Sequence, residues 1–404
     1  MGKKIYIDHN ATTPVHPEVL SSMLPYFKEF YGNPSSIHSF GQETRKAIED
    51  SREKVAKLLG AESSEIIFTS CGTESNNHAI KGTAFALQNR GNHIITSKIE
   101  HHAVIEVCEY LSKKFGFEIT YIPVDKHGII DPEDVKKAIT DKTILISIMH
   151  INNEIGTIQP IEELGKIAQE KQIVFHTDAV QSGGKIQIDV KKLGVSLLSL
   201  SGHKFYAPKG AGILYIKKGL KIHSLLHGGS HEKNRRAGTE NVPYIVGIAK
   251  ALELSYKDMS KESKRLLQLR EKLEKGIVEK IEYVQINGHP SKRIFNTSNI
   301  SFDFIEGEGL LLSLDLEGIA ASTGSACTSG TLEPSHVLSA MGVSVTNSQG
   351  SIRFSLGHQN TEEDIDKLLD VLPKIVSRLR SMSPLWEDKQ KGVKTQFEDP
   401  KKYH

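Results

Sequence analysis

Between residues 65 and 216 the chain alternates short apolar runs with longer segments in which apolar residues return every three or four positions. The apolar runs are Glu65–Thr69, His93–Ser97, 118–124, 143–149, 172–178, 195–202 and 210–216. Continuous runs of this kind mark strands buried on both faces, and the segments 74–91, 103–116, 132–139 and 161–170 read as the helices that cover them. The alternation predicts an α/β domain with a mostly parallel sheet of the seven-stranded type. In such sheets ligands bind beyond the C-terminal ends of the strands.

The rhythm changes near residue 250. Residues 251–281 read as one long, charged, amphipathic helix. Strands are expected near 283–288, 298–304 and 351–357, with helices at 307–318 and 362–382, which describes a smaller α+β domain. We divide the chain into an arm over 1–15 packing with the small domain, a large domain over 16–255 and a small domain over 256–404. The stretch 384–404 is polar with isolated aromatics and reads as a mobile tail.

Composition narrows the function classes. Of 404 residues, 51 are Lys or Arg and 49 are Asp or Glu, so 51 − 49 leaves +2, too little for binding nucleic acid or a membrane surface through bulk charge. Three cysteines without CxxC spacing make neither a disulfide framework nor a closed cysteine zinc site. Sparse thiols fit a reducing compartment, and no secretory or membrane-spanning apolar stretch is visible, so a cytoplasmic protein is expected.

Three expected strand ends carry chemistry. Asp178 follows one strand, with Gln181 three residues on; Ser201, His203 and Lys204 follow the next; Gly72 and Thr73 lie between a strand and a helix start. Singly, each has an ordinary reading as a cap, a turn or a surface residue. Together they suit pyridoxal phosphate, which needs a lysine for covalent attachment, an acid at its pyridine nitrogen and donors for its phosphate. Asp178 is the candidate acid and Lys204 the candidate Schiff-base lysine. Thr73, the helix N-terminus behind it, Ser201 and His203 are the candidate phosphate donors.

Longer motifs then extend nearly end to end: YIDHNATTPVHPEV, GNPSSIHSFG, FTSCGTESNN, SKIEHHAV, MHINNEIGTIQP, FHTDAVQSGGKI, LSLSGHKFYAPKGAG, GGSHEKNRRAGTENV, ASTGSACTSG, SIRFSLG and MSPLW. In order and spacing they resemble the cysteine desulfurases of the NifS/IscS type, in the class V aminotransferase group of fold-type I pyridoxal phosphate enzymes. The resemblance implies that Lys204 carries the cofactor, Asp178 faces the pyridinium and Gln181 donates to the phenolic oxygen. It implies that His101 stacks on the ring, with His102 adjacent in the same motif, and that Asn153 contacts the ring and the substrate. It implies phosphate contacts from Thr73, Ser201 and His203, and a further one from Thr239 reaching in from a second subunit, hence a homodimer. Arg353 is implied as the clamp for the substrate carboxylate, a role that suits a bidentate guanidinium.

Cys327 lies in a loop of small residues, ASTGSACTSG, and matches the nucleophile that takes sulfur as a persulfide. A mobile loop suits a thiol that attacks at the cofactor and then delivers to a partner. The implied substrate is L-cysteine and the implied acceptor an iron–sulfur scaffold protein, with carriers for tRNA thiolation as an alternative. No permanent metal site is expected, although Cys327 could ligate a cluster transiently. Cys71, before a helix N-terminus, and Cys108, on an apolar helical face, read as structural. Three other readings compete: transamination or selenocysteine lysis on the same fold, a metal hydrolase built on His101, His102, His176, Asp178 and His203, and a non-enzymatic sulfur scaffold.

Overall fold

The computed structural model describes residues 3–323 and 334–392, so Cys327 and the chain from 393 onward lie outside the described residues. The chain forms two compact units. The larger comprises Asn10–Asn153 and Thr157–Ser263; the smaller gathers the described residues up to His9, Glu154–Gly156 and the chain from Lys264 onward.

Numbered along the chain, β1 (Ile5–Tyr6) belongs to the smaller unit. The larger unit holds β2 (Ile66–Thr69), β3 (His93–Ser97), β4 (Glu118–Ile122), β5 (Thr143–Ser147), β6 (Val174–Asp178), β7 (Leu197–Ser201) and β8 (Gly212–Ile216). They form one seven-stranded sheet in the order β2-β8-β7-β6-β5-β3-β4. The pairs from β4 through β3, β5 and β6 to β7 are parallel, and β8 runs antiparallel to both β7 and β2. The expected mostly parallel α/β sheet is therefore present. Every residue of β3, β5, β6 and β7 is buried, which is why these strands read as unbroken apolar runs rather than alternating ones.

Helices Gly72–Leu87 and His102–Phe115 cover one face, packing Ala79, Ile80, Ala84, Val104 and Leu111 against Ile94, Leu145 and Leu197. On the other face Ile95, Ile146, Phe175, Leu198 and Ile213 meet Val55, Leu59, Leu164 and Ile248. Each of the fully buried Val, Leu, Ile and Phe side chains among them contributes roughly 1.5–3 kcal/mol relative to exposure.

In the smaller unit β1 pairs in parallel with β11 (Ile319–Ala320). A separate antiparallel sheet has the order β12-β10-β9, with β9 at Val284–Asn287, β10 at Thr297–Phe302 and β12 at Ser351–Ser355. Helices Gly307–Leu316 and Glu362–Ser381 supply Leu310, Leu314, Ile365, Leu368 and Leu372 to its core.

Two expectations about elements change. The helix expected over 251–281 is Val242–Lys280. Its first turns bury Val242, Ile245, Ile248 and Ala249, and Pro243 is accommodated because first-turn N–H groups have no intrahelical acceptor. The stretch from 384 is not uniformly loose, since Pro384–Gln390 is helical. Trp386 lies 5.7 Å from the ring of Tyr283 and 5.4 Å from that of Phe304, with the Arg380 guanidinium 5.2 Å from its centroid.

Candidate active site

The sheet brings the central candidates to one edge. Asp178 is the last residue of β6 and is 5% exposed. Its Oδ2 accepts from Asn76 Nδ2 at 2.7 Å and its Oδ1 from the Val180 N–H at 2.9 Å. Asn76 projects from the helix Gly72–Leu87, so strand and helix jointly fix the carboxylate plane.

Ser201 ends the neighbouring β7, and His203 and Lys204 follow in a single 3₁₀ turn, Gly202–Lys204. Lys204 Nζ donates to the carbonyls of Asn10 and Ala11 at 2.6 and 2.8 Å. The same Asn10 carbonyl accepts from Gln181 Nε2 at 3.0 Å, and the Asn10 amide donates to the Asn153 carbonyl at 3.1 Å. Asn10 thus joins three of the expected site residues. His203 Nδ1 lies 3.1 Å from the Thr12 hydroxyl. Burial, then the charges of Lys204, Lys209 and Lys185, push the His203 pKa down to about 4, so the ring is neutral at pH 7.

A helix N-terminus lies beside them. Cys71 caps the helix Gly72–Leu87, its Sγ accepting from the Glu74 N–H at 3.4 Å, and Thr73 is exposed in the first turn. A Cβ on Gly72 would come within 2.8 Å of Val180 Cγ2 and 3.3 Å of Ser201 Cβ. Glycine there lets the helix N-terminus approach Ser201 at the end of β7. Cys71 is the structural cap expected of it. Cys108 is buried in the core, and its thiol is pushed up to about 12 by burial.

His101 caps the helix His102–Phe115, with Nδ1 accepting from the Ala103 N–H at 3.0 Å. His102 begins that helix and faces Glu106 at 4.0 Å. Thr239 is exposed on the larger unit. Arg353 belongs to the smaller unit, where it donates to Asp8 Oδ1 at 2.8 Å. Sequence reasoning missed Asn10, Thr12, Asn76 and Glu100. The first two stood in the quoted YIDHNATTP motif, but nothing local marks them as partners of Lys204 and His203.

These residues fit pyridoxal phosphate on geometry alone. An oriented carboxylate, a lysine on the adjacent strand end and a helix N-terminus that a Cβ would obstruct are the three parts the cofactor requires. Among the described residues no group of three His, Cys, Asp or Glu side chains could hold a metal ion, so the hydrolase reading lacks a donor set.

Comparison with known proteins agrees. The family model "Aminotransferase class-V" matches residues 5–368. The chain is 59% identical over 384 residues to a cysteine desulfurase IscS of Dictyoglomus turgidum, covering 95% of this chain and 97% of the relative. It is 58% identical to the cysteine desulfurase IscS of Methanosarcina thermophila, covering 95% of each. Among solved structures, a NifS-like protein superposes with a TM-score of 0.88 at 44% identity, over 93% of this chain and 100% of that one. SspA in complex with cysteine does so with a TM-score of 0.79 at 40% identity, over 88% and 99%. The chain belongs to the class-V aminotransferases, enzymes that use pyridoxal 5′-phosphate on a fold-type I scaffold. Within that family it is of the NifS/IscS cysteine desulfurase type.

Proposed function

We propose that the chain converts L-cysteine to L-alanine and takes up the sulfur as a persulfide on Cys327. The observation that supports this best is the convergence of Lys204, just past β7, and Gln181, just past β6, on the Asn10 carbonyl, with oriented Asp178 at the end of β6. Pyridoxal phosphate, bound through Lys204, supplies the electron sink that stabilises charge at the substrate Cα.

The chain's own residues set up that chemistry. Asp178 holds a proton on the ring nitrogen, because a nearby carboxylate favours the cationic form. The bonds from Asn76 and Val180 keep it from turning away. Gln181 would donate to the cofactor's phenolic oxygen, and Asn153 would contact the ring and the substrate. Thr73, the first-turn N–H groups and Ser201 hold the phosphate. Neutral His203 would join them in the tautomer whose Nδ1 accepts from Thr12, which leaves Nε2–H as the donor. Arg353 clamps the substrate carboxylate. Lys204, the residue that would hold the cofactor, would also be the base for the Cα proton.

His101 would stack on the cofactor ring and would move protons to and from the substrate sulfur. The Cys327 thiolate then attacks that sulfur; the C–S bond breaks, its electron pair stays on carbon, and Cβ takes a proton to give alanine. Thr239 completes the phosphate site of a partner subunit, so the working enzyme is a homodimer. The persulfide passes to an iron–sulfur scaffold protein in the cytoplasm. Among the described residues no helix is long and apolar enough to cross a membrane.

The test is alanine and sulfide yield from L-cysteine with a reductant, for the wild type and Cys327→Ser. Equal yields of both products from the wild type, with both lost in the variant, are expected. Sulfide from the variant would assign the attack to another thiol. Cofactor-loaded wild type that makes neither product would return the chain to the aminotransferases.

A further inference from the structure

The turn that presents His101 leaves β3 where strand order reverses: β4 lies on one side of β3 and β5 on the other. At such a switch the loops from the two strand ends diverge and need a tie. Two side-chain tethers join the turn to the segment after β5, and one main-chain bond joins it to the end of β4. Lys98 N donates to the Ile122 carbonyl at 3.1 Å, and Asn152 Nδ2 donates to the Ile99 carbonyl at 3.0 Å. Glu100 Oε1 accepts from Ser97 Oγ at 2.6 Å and from the Met149 N–H at 3.0 Å. Glu100 is adjacent to His101 and joins the end of β3 to the end of β5.

A carboxyl with 0% exposure is a costly tether if ionised. Burial, reinforced by the charge of Asp178, pushes Glu100 up to about 8, so the group is mostly protonated at pH 7. In that form its oxygen still accepts both bonds, and it adds no second negative charge near Asp178, whose own charge the ring nitrogen requires.

We propose that Glu100 is a positioning residue for His101, an uncharged staple that fixes the histidine-bearing turn to the end of β5. The proposal rests on the reading of His101 given above. Its chemistry makes a sharp demand: glutamine, with one carbonyl oxygen and no titrating proton, does the same work.

The test compares E100Q, E100A, H101A and the E100A/H101A double variant as cofactor-loaded enzymes. Two readouts are taken: kcat and KM for alanine release, and the absorbance spectrum of the bound cofactor. H101A is expected to lower kcat and shift the spectrum. E100A is expected to lower kcat by about tenfold with KM changed by less than about twofold, and to shift the spectrum the same way. E100Q is expected to stay within about twofold of wild type, and E100A to add nothing in the H101A background. Wild-type behaviour of E100A beside an impaired H101A overturns the proposal. So does E100Q as impaired as E100A, or an equal E100A loss in both backgrounds. A fully active H101A overturns the reading of His101 first and the staple with it. If E100A does not fold, S97A replaces it; a smaller kcat loss that vanishes in the H101A background is expected, and no loss overturns the proposal.

Discussion

The two sheets treat buried polar residues in opposite ways. In the seven-stranded sheet the strand middles are largely apolar, and the chemistry-bearing side chains gather at one end, as Ser97, Asp178 and Ser201 do. The polar residues deeper in it form a short crossing of β5, β6 and β7: Ser147 Oγ to His176 Nδ1 at 2.8 Å, and His176 Nε2 to Ser199 Oγ at 3.0 Å. In the three-stranded sheet the middle itself is polar. Thr297, Ser298, Asn299 and Ser301 are all buried within β10, and Asn287 Nδ2 bonds Asn299 Oδ1 at 2.7 Å and Ser301 Oγ at 2.8 Å. Arg353 stands opposite Asn299 in register. A polar residue at the end of the large sheet therefore points to chemistry, whereas one inside the small sheet locks strand register around Arg353.

The contrast breaks most visibly at Lys204. Lys204→Ala should lower kcat/KM for L-cysteine by on the order of 10³-fold or more while leaving the urea midpoint nearly unchanged. Asn299→Ala should do the reverse, costing roughly 1–3 kcal/mol of stability and sparing kcat. An Asn299 variant that loses turnover but not stability would erase the distinction.

Glu232 tests whether the large unit also holds structural charge away from the site. Its carboxylate makes a bidentate pair with buried Arg52 at 2.7 and 2.9 Å and accepts from the Phe68 N–H. Glu232→Ala removes the buried bidentate partner of Arg52 and leaves it only half-exposed Glu49 at 3.3 Å, so about 3 kcal/mol of stability should be lost in urea unfolding.

Acid sharpens the comparison further. Burial pushes His176 down to about 3, and His150 and His203 to about 4, from an ordinary value of 6.5. Below pH 6.5 the unfolded chain takes up protons that the native histidines refuse, so stability is lost as pH falls toward 4. His176→Gln keeps two hydrogen-bonding ends but does not titrate, and should flatten that decline in the urea midpoint. The smallest effect is expected at Trp386→Ala, about 1 kcal/mol from lost ring and guanidinium contacts, with unchanged alanine release.

The same contrast explains what the sequence revealed. His93–Ser97 and 161–170 match their elements because burial on both faces, or on one helical face, writes a periodicity into the residues themselves. The start of the Val242–Lys280 helix was missed because its first turns are more apolar than the charged stretch that drew attention. Asp178, Gln181, Ser201, His203 and Lys204 stood out as candidates because they follow apolar runs, and the structure places them at or just past the ends of β6 and β7. Asn10 and Asn76 were not, because each matters through a partner far along the chain; Lys204 is 194 residues from Asn10. Glu100 was hidden for a related reason: its significance is its depth, and depth is a property of the fold.

The Asn10 carbonyl has one practical consequence. A variant trimmed to begin after Thr13 would keep all seven strands of the large sheet. It would still lose both acceptors of Lys204, the acceptor of Gln181 and the hydroxyl facing His203. The same trim would strip β1, with buried Ile5 and Ile7, from the smaller unit and take Asp8 from Arg353. Where a translation start or a cleavable tag is placed would thus govern catalytic competence and stability together.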